Sequence, residues 1–116
     1  MKTPITLLAA CCLLASAQFA AAAPAERAEA RAAPSCGEWI DHRKKSDTLA
    51  LSNTSWLVGY LSGLAVGSGK NFLPGNENTE IFSWMDNYCR SNPLTDIAAG
   101  GTSLMAELVT KKAGRK

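Results

Sequence analysis

The spacing of apolar residues predicts four helices between residues 35 and 112, and no segment alternates as a half-buried strand does. The first helix covers about residues 35–45, because Ser35 and Glu38 fit a capping box in which each side chain binds a free backbone amide. On this helix Asp41, Arg43 and Lys44 face water. The residues that point inward are Cys36, Trp39 and Ile40.

The second helix is the longest and most apolar, over about residues 49–67, with Ser46 or Asp47 as its N-terminal cap. Glycines recur every four residues along it, so they share one face and predict that another helix crosses closely there. These glycines are Gly59, Gly63 and Gly67. A neighbouring stripe at the same spacing, typical of core positions, contains Trp56, Tyr60 and Leu64.

Residues 70–78 form a polar loop with a Pro74-Gly75 turn, and Phe72 and Leu73 are expected to anchor it to the domain. A third helix follows, with Asn78 or Thr79 as its cap. Its apolar face consists of Ile81, Trp84, Met85, Tyr88 and Cys89.

The fourth helix is expected to begin at Asn92-Pro93, because asparagine is a good cap and proline suits the first helical position. It runs to about Lys111. Its apolar stripe consists of Leu94, Ile97, Ala98, Gly101, Leu104, Met105 and Leu108. The fold class is therefore a small all-α, four-helix domain.

The N-terminus has the order of a secretory signal peptide over residues 1–25: a positive start, an apolar run and a small-residue stretch. Residues 8–11 also fit a lipoprotein box at Cys11, although the apolar run before this cysteine is short. Residues 26–34 form an alanine-rich flexible leader, residues 35–112 the helical domain and residues 113–116 a basic tail. We expect the protein to reside in the periplasm.

Once the signal peptide is removed, Cys36 and Cys89 are the remaining cysteines. Two thiols in an oxidising compartment are expected to form a disulfide. Both lie on the apolar side of their helices, so the bridge joins two elements across the core.

Charge and chemistry exclude several function classes. Twelve Lys and Arg against ten Asp and Glu give no electrostatic reason to expect nucleic acid as a partner. No mature segment is apolar enough for stable membrane insertion. His42 is the single histidine and is read as a solvated side chain, so neither a Ser-His-Asp triad nor a zinc site is indicated. We therefore expect no cofactor, no metal and no enzymatic activity.

Three segments in order resemble the HdeA/HdeB family of periplasmic acid-stress chaperones: Cys-Gly-Glu-Trp at 36–39, Trp-Leu-Val-Gly-Tyr at 56–60, and Tyr-Cys-Arg-Ser-Asn-Pro at 88–93. The resemblance implies a helical, disulfide-bonded protein that loosens in acid and holds unfolding clients. Its client surface would include Trp56, Tyr60 and Leu64, or a homodimer face uncovered by dissociation. The carboxylates whose protonation could loosen it are Asp41, Asp47, Glu80, Asp86 and Asp96.

The order of Gly59-Tyr60, Ser62-Gly63 and Asn92-Pro93 is also similar to the Rap/Tai immunity proteins of type VI secretion. That resemblance implies a partner of another kind, a peptidoglycan-cleaving toxin whose active site the immunity protein binds and blocks. The blocking element would then be the loop at 70–78. It would present Phe72, Leu73 and Glu77.

Overall fold

Four helices form the domain in a computed structural model that describes residues 28–115. They are α1 (Cys36–Lys45), α2 (Thr48–Ser68), α3 (Asn78–Ser91) and α4 (Ile97–Ala113). The described residues contain no β-strand, only an isolated antiparallel bridge between Ser35 and Asp96. The all-α prediction is confirmed, whereas the predicted signal peptide and Cys11 lie outside the described residues.

The first two helices begin and end with the residues that local chemistry favours. The Ser35 hydroxyl accepts from the Glu38 amide at 3.1 Å, and the Ser35 amide donates to the Glu38 carboxylate at 2.8 Å, which confirms the capping box. Ser46 ends α1 in a left-handed conformation, with φ of 50°. Asp47 caps α2 by accepting from the Ala50 amide at 2.9 Å.

The third and fourth helices differ from prediction at their starts. Glu77, and not Asn78 or Thr79, occupies the cap position of α3. Asn92 ends α3, because its backbone amide and its side-chain amide both donate to the Tyr88 carbonyl at 2.9 Å. A turn follows, and α4 begins only at Ile97, with Asp96 accepting from the Ala99 amide at 2.9 Å. Leu94, which was predicted to lie on the apolar stripe of α4, is fully exposed in this turn.

Each helix packs principally against two others: α1 against α2 and α3, and α4 against α2 and α3. The enclosed core draws residues from all four helices and from the loop before α3, where Phe72 is buried as predicted. The fully or almost fully buried side chains are Cys36, Trp39, Leu57, Leu61, Phe72, Ile81, Met85, Cys89, Ile97 and Leu104.

Cys36 and Cys89 form the predicted disulfide, which links the first turn of α1 to the last turn of α3. Their Cα atoms are 4.9 Å apart, within the range that a disulfide spans. Both residues are buried, with exposed fractions of 0% and 1%. The bridge therefore lies inside the core and fixes the ends of two antiparallel helices.

The predicted close crossing at Gly59, Gly63 and Gly67 is wrong. A Cβ atom added at any of these glycines meets nothing within 4 Å, and all three are exposed. The close approach occurs instead on α4, where a Cβ added at Gly101 would lie 2.9 Å from the Tyr60 ring. The regular spacing on α2 thus marks the solvent side of that helix.

We expect Gly63→Ala and Gly101→Ala to change stability in opposite directions. Alanine at Gly63 raises helix propensity without a clash, which should stabilise the domain by up to about 1 kcal/mol. Alanine at Gly101 must push the Tyr60 ring away, which should destabilise it by about 1–3 kcal/mol. Urea unfolding of both variants measures this, and equal effects would contradict the helix arrangement.

None of the helices among residues 28–115 has both the length and the hydropathy needed to cross a membrane.

Candidate functional site

Two of the predicted binding residues form one aromatic surface on α2. The rings of Trp56 and Tyr60 stack with centroids 5.0 Å apart and planes inclined by 15°. Tyr60 rests against α4 beside Gly101, and its hydroxyl lies 3.0 Å from the Thr102 hydroxyl. Both aromatic side chains are half-buried, so part of each ring is available for contact.

A short segment before α1 lies against this aromatic surface; we call residues 28–34 the N-terminal strap. The Trp56 indole N–H donates to the carbonyl oxygen of Arg31 at 3.2 Å. Between the strap and α2 runs an open cleft of about 450 Å³. Its lining residues are Ala30, Arg31, Ser55, Trp56, Gly59 and Tyr60.

The C-terminal end of the strap is attached to the turn before α4. The Ile97 amide donates to the Pro34 carbonyl at 3.0 Å, and the Cys36 amide donates to the Thr95 carbonyl at 2.9 Å. Ala32 lies in the strap between Arg31, which contacts Trp56, and Pro34, and it has a positive φ of 56°. Non-glycine residues rarely adopt this conformation, so the bend in the strap carries a local conformational cost.

The predicted binding residues of the loop at 70–78 do not join this surface. Phe72 is only 2% exposed and lies beside Val109 and Lys112 near the end of α4, about 10 Å or more along the helix from Thr102. Leu64 and Leu73 are half-buried against the core, whereas Glu77 is exposed. The loop thus offers Leu73 and Glu77 for contact but not the Phe72 ring.

A second feature, an ion pair between α1 and α3, involves Asp86. Its carboxylate accepts from the Trp39 indole N–H at 2.8 Å and from two Arg43 nitrogens at 3.0 and 2.9 Å. The guanidinium carbon of Arg43 also lies 5.7 Å from the centroids of both the Trp39 and Phe82 rings. Arg43 was expected to face water, yet it bridges the two helices.

The Asp86 carboxylate is stabilised in its charged form despite its partial burial. Burial pushes its pKa upward, but the hydrogen bonds from Arg43 and then Trp39 outweigh that effect, so the pKa lies below its usual value. Side-chain exposure is 16% for Asp86 and 33% for Arg43, so the pair is only partly screened by water.

The register of this contact is consistent with the disulfide. Trp39 follows Cys36 by three residues, and Asp86 precedes Cys89 by three. Three residues advance each helix by about 4.5 Å, so in two antiparallel helices such positions face each other. The cysteine pairing could therefore have identified Trp39 as a partner of Asp86 before the structure was known.

The remaining candidate carboxylates have local partners. Asp41 pairs with Lys45 at 2.6 Å, and this hydrogen bond lowers its pKa. Asp47 lies 2.9 Å from His42, and chiefly through that hydrogen bond its pKa is lowered too. Asp96 caps α4 as described, and Glu80 accepts from the Glu77 amide at 3.2 Å.

The sequence reasoning missed Glu107. Its carboxylate pairs with Lys111 at 3.0 Å and accepts from the Trp84 indole N–H at 2.8 Å, and these two contacts lower its pKa. The four-residue spacing of Glu107 and Lys111 was a usable signal for the first contact. The contact with Trp84 depends on how α3 packs against α4, which no local pattern reveals.

His42 is less exposed than predicted. Its side chain is 19% exposed because the ring turns toward Asp47 at the junction of α1 and α2. Among residues 28–115 no cluster of three or more histidine, cysteine or acidic side chains could hold a metal ion.

Comparison with protein-family models, with curated proteins and with solved structures finds no match to this chain. The resemblances described from the sequence therefore stay predictions.

Proposed function

We propose that this protein is a periplasmic acid-stress chaperone that is folded at neutral pH and holds unfolding proteins when acid loosens it. The observation that carries the proposal is the Asp86 carboxylate, which joins α1 to α3 through Arg43 and Trp39. A carboxylate in this position makes the packing of two helices depend on its ionisation.

The pH at which loosening is expected follows from the direction of the pKa shifts. A carboxylate whose pKa is lower in the folded than in the unfolded protein stabilises the fold above the unfolded pKa, about 4. That stabilisation is lost as the pH falls through the folded pKa. Asp86 and Glu107 both have lowered pKa values, so the loss falls below about pH 4.

Acid also changes the net charge in a way that suits a holding protein. Lys2 is removed with the signal peptide, so protonation of the ten acidic side chains leaves eleven Lys and Arg charges and one His charge without negative counterparts. The resulting repulsion favours expansion and keeps an expanded chain soluble. The intact disulfide would limit that expansion by keeping α1 tied to α3.

Apolar surface for client binding would come from two places. Trp56 and Tyr60 are already partly accessible. Loosening of the contact between α1 and α3, which stay joined at the disulfide, would add the Trp39 ring, which is fully buried in the folded protein, and the Phe82 ring that packs against it at 6.1 Å.

The test is whether the exported, oxidised protein prevents an acid-labile enzyme from aggregating at pH 2.5 and during neutralisation, at a molar ratio near one. We expect protection after acid exposure and none when both proteins are kept at pH 7, measured by light scattering. Absence of protection after acid exposure as well as at pH 7 would contradict the proposal.

Matched variants identify the binding surface in this assay. Trp56→Ala combined with Tyr60→Ala should weaken protection, because it removes the stacked rings. Leu51→Ala should leave protection unchanged, since Leu51 is 68% exposed and lies on the opposite side of α2. Equal protection by both variants would exclude the aromatic pair as the client surface.

The alternative, a Rap/Tai-like immunity protein, has less support. Phe72 of its expected blocking loop is buried, and only Leu73 and Glu77 remain accessible there. A protein that stays folded at pH 2.5 and fails to protect clients would favour this alternative.

A further inference from the structure

We propose that the aromatic surface formed by Trp56 and Tyr60 is a binding site for an extended polypeptide segment, and that the N-terminal strap is its resident occupant in the folded protein. The inference rests on the proposed function in one respect, the identity of the competing occupant as a segment of an unfolded client.

The strap contacts the aromatic surface through its backbone. The Trp56 indole N–H binds a backbone carbonyl, that of Arg31, at 3.2 Å. Every residue of every polypeptide carries such an acceptor. The contact therefore selects an extended chain without selecting its side chains, as a holding protein requires.

The cleft is open and has small residues on its α2 side. Ser55 and Gly59 line it, and a Cβ added at Gly59 meets nothing within 4 Å, so there is free space beside α2 for a further stretch of chain. No charged side chain of α2 lines the cleft. The cleft therefore suits a stretch of mostly small residues. The sequence at 30–34, Ala-Arg-Ala-Ala-Pro, is small except for the exposed Arg31, which contacts Trp56 through its backbone carbonyl.

The strap is attached weakly enough to be displaced. At its C-terminal end it is anchored by backbone hydrogen bonds at Pro34 and Cys36, whereas farther toward its N-terminus the one hydrogen bond to α2 that residues 28–34 make is that of Arg31 with Trp56. The left-handed conformation of Ala32 further disfavours the docked arrangement. Its attachment to α1 nevertheless gives it an effective concentration on the order of millimolar, so a free segment must compete with it.

Substitutions at Ala32 alter strap docking without touching the site. Ala32 is exposed, so a new side chain does not disturb the core. Valine is strongly disfavoured at positive φ and should release the strap, while glycine adopts this conformation readily and should retain it. The pair Ala32→Val and Ala32→Gly therefore separates strap docking from every other property of the domain.

The experiment is an NMR titration of the oxidised protein at pH 7 with a synthetic peptide of residues 28–35, followed through the backbone amides of Ser55 and Gly59. We expect half-saturation of Ala32→Val at a peptide concentration about five-fold or more below that of the unaltered protein. For Ala32→Gly the half-saturating peptide concentration should be several-fold above that of the unaltered protein. Trp56→Phe, which keeps a ring but loses the N–H, should weaken binding in the Ala32→Val background.

The same half-saturating peptide concentration for the unaltered protein, Ala32→Val and Ala32→Gly would overturn the proposal. Chemical-shift changes elsewhere, with the Ser55 and Gly59 amides unchanged, would overturn it too. The indole signals of Trp39 and Trp84 report that each variant is folded. The titration is performed at neutral pH, and the aggregation assay after acid exposure. The peptide can therefore fail to bind while the protein still protects clients, or bind while protection is absent, so the two proposals are tested separately.

Discussion

Replacing Cys89 with serine should lower the stability of the oxidised protein by about 4 kcal/mol, the largest effect expected of any single substitution here. The bridge connects residues 53 apart in the chain, so its loss releases a long loop in the unfolded state. For a domain of this size the melting temperature should fall by at least about 15 °C. Serine also brings a hydroxyl into a site that is 1% exposed.

Thermal unfolding followed by circular dichroism, with and without reductant, measures this effect. The unaltered protein in reductant is the matched control and should melt close to Cys89→Ser, whereas reductant should leave the variant almost unchanged. Mass spectrometry of the protein purified without reductant should show no free thiol at Cys36 or Cys89. Two free thiols, or a melting temperature that reductant does not alter, would contradict a bridge that stabilises the domain.

The sequence predicted those features that depend on neighbours in the chain. The Ser35 capping box and the amphipathic face of α3 both follow from contacts three or four residues apart, and both are confirmed. The disulfide was predictable for a different reason, since the expected oxidising compartment and two remaining cysteines leave little choice.

The predictions for the α2 glycines and for the start of α4 were wrong because local sequence rules allow two outcomes at these places. Helix α2 carries no charged residue, and its small polar residues are spread around it, with Asn53 and Thr54 on the buried side, so its periodicity could not show which face is buried. Gly63 was therefore assigned to a helix contact that Gly101 makes. Asn92 can cap the start of one helix or bind back to the end of another. The second occurs here, because its side-chain amide donates to the Tyr88 carbonyl.

The contacts on which the proposed function rests are the ones that sequence rules predict least well. Arg43 is a plausible solvent-facing residue until α3 supplies Asp86 and Phe82 beside it. The acceptor for Trp56 is a backbone carbonyl at Arg31, which no side-chain pattern can identify. Both depend on tertiary packing, and both bear on the proposed acid response or client binding.

The Asp86→Asn substitution should destabilise the protein by about 2 kcal/mol at pH 7, because asparagine keeps the shape of the side chain but loses the charge that Arg43 and Trp39 bind. Arg43 would be left half-buried between two rings without its counter-ion. Urea unfolding at pH 7 gives the magnitude. Asp41→Asn is the matched control, since both members of its pair are more than half exposed, and no measurable change is expected there.

The pH dependence of this loss identifies its cause. The lowered pKa of Asp86 makes its charge stabilising above about pH 4, and this contribution disappears as acid protonates the folded protein. The difference in unfolding free energy between the unaltered protein and Asp86→Asn should therefore shrink as the pH falls from 7 toward 2. If loosening activates the protein, Asp86→Asn should also begin to hold clients at a higher pH. A stability difference that stays constant over this range would show that Asp86 acts through packing and not through its charge, and would remove the main support for acid activation.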